Sequence, residues 1–394
     1  LLQELIERAL QNNTDVRQAK LTVEQAQNDL KSAQLGWFPI ISFEPSGSLT
    51  RFNSATTRSY NIPLTATWQA GIFGQVTTKK RLAKAKRQQL DDYRQAVQTA
   101  LAANVASTYY QLVMLDRELQ ILKETQAVWE ESLEAMRVLF EAGLYMSPAV
   151  YQMEASLASV KSGIVETQET IYTTEAALCL LLSEPPHTIT RAQYGKFIIP
   201  EQLHVGLPIR LLSARPDVRQ AERNMEIAFY ERQQAKQAFY PDLTLSGSLG
   251  WSNGEGVVNP SQFLANAVAA ITQRIFTQGQ LRAQYKNATI EQEKVRLQFV
   301  QTLLNAGNEV YQQLRICHKT EQKAAYLTSI INSLHEAYLG TSELMKNGTN
   351  TYVEVLKAQE DLLTAQITEI QNHFEGIQAL INLYTALGGF QSHE

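Results

Sequence analysis

The chain carries one long passage twice, and a repeat of that length limits the fold more than any other feature. DVRQA stands at 15–19 and again at 217–221, an offset of 202 residues. Each copy runs on in an unbroken helical pattern to an aromatic–proline stop, Phe38-Pro39 and Tyr240-Pro241, again 202 apart. Each then enters a short alternating segment holding the same SGSL, at 46–49 and 246–249. A period near 200 residues excludes a solenoid of small units, whose repeats run about 20–50 residues. The chain is therefore read as a tandem duplication in which each copy is a whole structural half.

In order, residues 1–35 read as one helix, with Leu5, Ala9 or Leu10, Val16, Leu21 and Leu30 recurring at helical intervals. Gly36 and Pro39 end it, because proline disfavours helix in the residue before it. A strand over about 40–52 and an alternating one over 61–68 follow, with RFNSATTRS between them as a hairpin loop. From Phe73 to Ala142 there is no proline and one glycine. Leu112, Leu115, Leu119, Leu122, Trp129, Leu133, Met136 and Phe140 fall at steps of three and four, a heptad seam. A helix of ~70 residues measures on the order of 100 Å, too long to curl into one compact domain. Gly143 and Pro148 break it, and a second long helix spans about 147–183. Pro185, Pro186, Pro200 and Pro208 make 184–210 the least regular stretch. The expected organisation is a first repeat over 1–183 (helix, two strands, two long helices), a linker or small subdomain over 184–210, and a second repeat over 211–389. A tail over 390–394 follows, and the β part lies at 40–70 and 242–273. Gly348 ends the third long helix as Gly143 ends the first.

Four strands per chain leave two open edges, which are aggregation sites unless another chain covers them. Segments of about 10–12 residues suit tilted strands crossing an outer-membrane-like bilayer. The outward faces expected are Leu243, Leu245, Leu249 and Trp251 in one strand and Ile62, Leu64, Ala66 and Trp68 in another. Lipid tolerates only a closed barrel, so closure needs strands from other chains, eight strands for two copies or twelve for three. The competing readings from the same residues are a coiled-coil scaffold whose strands form a soluble sheet, and a secreted pore-forming toxin.

Several other classes are excluded or unsupported. A net charge of −4 gives no basic field for nucleic acid. No apolar run approaches the ~20 residues of a transmembrane helix; that around 176–182 is far shorter. Cys179 and Cys317 lie among apolar neighbours and read as buried free thiols, with a disulfide as the alternative. The six histidines show no metal-ligand spacing, and no nucleotide-binding or nucleophile motif is present. No cofactor, metal site or catalytic residue is expected, and the chain is not read as an enzyme.

At the repeated passage the match becomes specific. ARPDVRQAE followed by AFYPDLTLSGSLGW, IFTQGQLRAQ at 275–284 and NGTNTYVEVLKAQ at 347–359 resemble the TolC-like outer-membrane efflux proteins. The likeness is to the lipoprotein branch that serves resistance-nodulation-division (RND) pumps. WQAGIFGQ resembles that branch's strand-to-helix junction, with Gln69, Ala70 and Gly71 where acidic residues usually stand. The resemblance implies a homotrimer with a mainly α fold. Its duplicated coiled-coil helices would form an α-barrel tunnel in the periplasm. Its four strands per chain would complete a twelve-stranded β-barrel in the outer membrane of a Gram-negative bacterium. The implied function is the passive exit duct of a tripartite efflux pump for drugs or other small molecules, docked to a periplasmic adaptor and an inner-membrane RND-type transporter. It also implies a lipidated N-terminal Cys ahead of the first helix. The family's gate maps onto Glu354 and Lys357, facing the lumen near the periplasmic tip beside the breaks at Gly143 and Gly348, while Pro39 and Pro241 mark the helix-to-strand corners. Lys357 stands where the family often has a second acid. Met345 replaces an aromatic and Ala149 an acidic partner, so the family's lock is not carried over. An ordinary exposed i,i+3 pair is the other reading of Glu354 and Lys357.

Overall fold

A computed structural model describes residues 1–52, 55–143, 146–195, 213–252, 262–346 and 352–389. Among the described residues seven helices and five strand segments follow in the order α1 (Leu2–Asn12), α2 (Thr14–Leu35), β1 (Ile40–Phe43), β2 (Ser46–Phe52), β3 (Ala55–Ala70), α3 (Gln75–Glu141), α4 (Ser147–Leu182), α5 (Pro216–Gln237), β4 (Asp242–Ser252), β5 (Gln262–Thr272), α6 (Gln280–Lys346) and α7 (Tyr352–Ala386). The fold is mainly α with a small sheet. Both α3 and α6 are 67 residues long. Pro39 directly precedes β1 and Pro241 directly precedes β4.

Three local readings need correction. The first helix is two, because Asn13 takes an extended backbone, φ −59° and ψ 132°. Its side-chain oxygen accepts from the Asp15 and Val16 amides at 2.9 and 3.3 Å, capping α2. Its amide nitrogen donates to the Leu181 carbonyl at 3.0 Å. The first strand lapses at Glu44-Pro45, where proline has no ladder donor. Register nevertheless carries through, with Phe43 opposite Leu64 and Ser46 opposite Asn61, so β1 and β2 occupy one position in the sheet. Most of RFNSATTRS is strand: pairing continues to Phe52 opposite Ala55, and the Ser48 and Ser59 hydroxyls bond at 2.6 Å.

The chain forms two compact units, and each draws on both repeats: Leu1–Ala19, Arg94–Pro216 and Leu303–Glu394 make one, Lys20–Tyr93 and Asp217–Thr302 the other. In the first, the α3 seam is buried from Leu112 to Met136 apart from the half-buried Leu119, while Phe140, its last member, is 43 % exposed. It faces a second seam on α4, where Val150, Met153, Leu157, Val160, Ile164, Thr167, Ile171, Thr174 and Leu178 are all buried at alternating steps of three and four. This is coiled-coil packing of two antiparallel helices. The irregular segment after α4 is fastened by Arg191, which binds Asp116 and the buried Glu175. Glu175 also accepts from the Ile189 amide at 3.2 Å. Cys179 and Cys317 are free and buried. Among the described residues no helix is long and apolar enough to cross a membrane.

The second unit holds the sheet, antiparallel in the order β1/β2–β3–β4–β5. Pro63 sits in an inner strand, a position proline normally avoids. Its cross-strand neighbour is Gly250, where an added Cβ would stand 2.4 Å from the Ile62 carbonyl oxygen and 2.8 Å from the Pro63 Cα. Only glycine lets the two backbones approach so closely. Gly250→Val is expected to weaken β3–β4 pairing by about 1–3 kcal/mol, read as lower recovery of correctly assembled protein. Recovery equal to that of the parent chain would refute this.

Candidate functional site

The residues singled out on α7 lie in its first three turns. Tyr352, Val355, Leu356 and Gln359 are buried, whereas Val353, Glu354 and Lys357 are exposed. At 100° per residue the two sets occupy opposite arcs. The buried arc packs on α4: Tyr352 and Leu356 join Val150, Met153, Leu157 and Val160 in one apolar cluster, with Met345 and Ala149 against it. The Tyr352 hydroxyl donates to the Met153 sulfur, and burial pushes its phenol well above the ordinary tyrosine range, so it stays a donor. Two turns on, the Ser156 hydroxyl donates to Glu360 at 3.1 Å.

On the exposed arc, Lys357 donates to Asp361 at 2.7 Å, one turn along the helix. That hydrogen bond and the carboxylate's charge raise the Lys357 pKa. Asp361 was not singled out from sequence, although the i,i+4 spacing was there to read. Gly143 follows α3 with φ +74°, a left-handed turn open to solvent around its Cα. Gly348 lies outside the described residues. Arg137–Glu154 at 2.7 Å and Lys161–Glu130 at 2.8 Å tie α3 to α4 below that turn. Phe140 and Met146 are exposed beside it.

The sheet presents a second functional surface. Residues directly opposite in an antiparallel pair share a face, so register sorts the strands without ambiguity. Ile41, Phe43, Ile62, Leu64, Ala66 and Trp68 fall on one face with Leu243, Leu245, Leu249 and Trp251. Phe263, Ala265, Ala267, Ala269 and Ile271 of β5 continue it. Across β1, β4, β5 and the part of β3 from Ile62 to Ala70 no charged side chain interrupts this face, whereas farther out on the β2–β3 hairpin Arg58 and Arg51 fall on it. The opposite face is mostly Ser, Thr and Asn, as in Ser42–Thr65 and Ser248–Asn266. Where the strands meet the helices, Trp37, Phe38, Phe73, Phe239, Tyr240, Ile275 and Phe276 are exposed, Ile275 at 95 % and Phe276 at 84 %. Phe73 stacks on Tyr240 with centroids 5.1 Å apart.

Among the described residues no group of three His, Cys, Asp or Glu side chains is placed to hold a metal ion. Comparison with known proteins agrees with the architecture. The cation efflux system protein CusC of Escherichia coli (strain K12) is 27% identical, covering 98% of this chain and 86% of its own. The probable outer membrane lipoprotein SilC of Salmonella typhimurium is 26% identical, covering 98% and 85%. A crystal structure of CusC superposes with a TM-score of 0.90 at 26% identity, over 99% of this chain and 92% of the other. The family model for outer membrane efflux proteins matches residues 5–184 and 207–389, nearly the whole of both repeats, and the chain belongs to that family.

Proposed function

We propose that three copies of this chain form the outer-membrane exit duct of a tripartite efflux pump. The observation that carries this reading is the sheet, which has two unpaired edges, β1/β2 and β5, and one face that is apolar and uncharged across the span where β1, β3, β4 and β5 pair. In lipid such a sheet is stable only when closed, and twelve strands from three chains close it with that face outward. Family membership supports the same assembly over a scaffold or a toxin. The helices add unpaired seams for neighbouring copies: Ile290, Leu297, Leu304 and Tyr311 are exposed on α6 at heptad spacing, and Tyr151, Val165 and Tyr172 on α4. These are faces that a second copy of the chain would bury.

The duct catalyses no reaction. A periplasmic adaptor and an inner-membrane transporter supply selection and energy, and the compound exported is theirs to choose. At the start of α7, Glu354, Lys357 and Asp361 face the lumen in threefold rings, two acidic and one basic. The buried arc through Tyr352 and Leu356 holds α7 against α4 and narrows the tip. Gly143 turns the chain there. Pro39 and Pro241 serve as equivalent corners where helices enter the barrel. As in the relative whose name marks it a lipoprotein, an acyl anchor on a preceding Cys fits this arrangement.

The expected behaviour is extraction only by detergent, at a protein mass three times the 44.3 kDa of one chain. Light scattering that separates protein from detergent mass tests this. A monodisperse monomer would sink the trimer, and recovery in the soluble fraction would sink the duct.

A further inference from the structure

The chain is weakly acidic as a whole, with a net charge of −4, yet one zone has the opposite character. No Asp or Glu lies between Glu44 and Asp91, a stretch holding Lys79, Lys80, Arg81, Lys84, Lys86 and Arg87 near its end. In the second repeat no acid lies between Glu255 and Glu291, a stretch holding Arg274, Arg282 and Lys286. The strand register gathers these positions. Ile40 pairs with Thr67, Ala70 with Leu243, and Asp242 with Thr272, so α3 and α6 leave from the same end of the sheet. That is the end where Phe73, Tyr240, Ile275 and Phe276 are exposed.

Lys79, Lys80, Arg81, Lys84, Arg274, Arg282 and Lys286 are exposed, and among the described residues none makes an ion pair. By contrast, Lys86 faces Glu231 at 3.4 Å, and farther along α6 Lys294 and Arg296 pair with Glu291 and Glu293. The cations nearest the sheet are the ones left open. An ordinary solvated helix face mixes signs, as α6 does from Glu291 onward, whereas this one does not. Lys79 and Arg282 each lie within the first turn or two of their helices. At ~1.5 Å per residue that places them roughly 9 Å beyond Phe73 and Phe276, at the outer margin of a headgroup layer about 5–8 Å deep on one side of a bilayer. Their long stems can reach further toward the interface.

We propose that this collar binds the phosphate headgroups of anionic phospholipid in the leaflet facing the helices. The proposal rests on the outer-membrane reading and adds the chemistry of the lipid contact. Aromatic rings sit at the apolar boundary, and the cations just beyond them meet negative phosphate, fixing the depth and rotation of the helix starts beneath the barrel.

The test uses the full-length protein purified in detergent and mixed with micelles of phosphatidylglycerol and phosphatidylcholine in equal amounts. After repurification, retained lipid is counted by native mass spectrometry. The expected result is preferential retention of phosphatidylglycerol, lost on raising the salt concentration. One Lys or Arg near an anionic surface is worth about a fivefold change in binding, so K79Q/K80Q/R81Q/K84Q is expected to reduce retention at least tenfold. K294Q/R296Q, whose cations are already paired, is expected to leave it unchanged. Equal retention of the two lipids by the parent protein, or an undiminished preference in the fourfold variant, overturns the collar while leaving the duct intact. Protein recovered without detergent overturns both.

Discussion

Tyr352→Ala is expected to raise single-channel conductance in planar bilayers several-fold, whereas Glu354→Lys is expected to shift selectivity toward anions with little change in conductance. The difference follows from where the two side chains sit. Tyr352 is buried in the α4–α7 cluster, donates to Met153, and anchors the first turn of α7. Truncating a buried aromatic costs about 3–5 kcal/mol, and a tenfold shift in a two-state balance needs only about 1.4 kcal/mol. If the closed tip depends on this packing, its loss moves the population decisively. Glu354 and Lys357 are exposed, and Lys357 already has Asp361 as a partner. Such solvated pairs hold little structure together, but rings of charge at a constriction do set which ion passes. Tyr352→Phe separates the two parts of the tyrosine's role, keeping the ring and losing the bond to sulfur, and should open the channel less than alanine does. A parent-like conductance for Tyr352→Ala would remove the latch. Unchanged selectivity for Glu354→Lys would return the pair to an ordinary surface feature.

Arg191→Ala is expected to release the segment after α4 at a cost of about 3 kcal/mol, toward the lower end of what breaking a buried ion pair costs. Arg191 is nearly buried and holds two carboxylates, Asp116 and Glu175. Asp116 is partly solvated and can return to water. Glu175 is buried, with the Ile189 amide as its remaining partner among the described residues, so the variant strands a charge. The observable is amide exchange at Ile189 and Ala192, whose N–H groups donate to Glu175 and to the Tyr109 hydroxyl. Both should exchange roughly a hundredfold faster, given a factor of ten per 1.4 kcal/mol. Adding Glu175→Gln should recover part of the protection, since it removes the stranded charge. Unchanged exchange in Arg191→Ala would mean that apolar packing around Ile189 holds the segment without the arginine.

Much of the fold was legible because it depends on periodicity. The α3 seam, the Pro39 and Pro241 stops and the alternation over 61–68 are statements about neighbours three, four or two residues apart. Errors fell where a distant partner decides. Nothing local to Asn13 distinguishes a helix interior from a cap, and the Leu181 carbonyl 168 residues away completes its bonds. RFNSATTRS has the composition of a loop, yet β2 and β3 have each other as hydrogen-bond partners, and pairing outweighs composition. At the candidate site the exposed pair was readable from the motif. Its working neighbours were not: Tyr352 matters through Met153, which is 199 positions away.

By itself the sequence determined the duplication, the lengths of the helices and the two-faced character of the strands. Those properties come from short-range sterics and from the spacing of apolar residues, which a chain carries wherever it goes. Only the tertiary structure decided that four strand positions merge into one continuous apolar band, that the buried arc of α7 lies on α4, and that cations from two distant stretches leave the sheet at the same end. Each of these depends on register and helix rotation, and a shift of one residue would turn the same side chains to the opposite face.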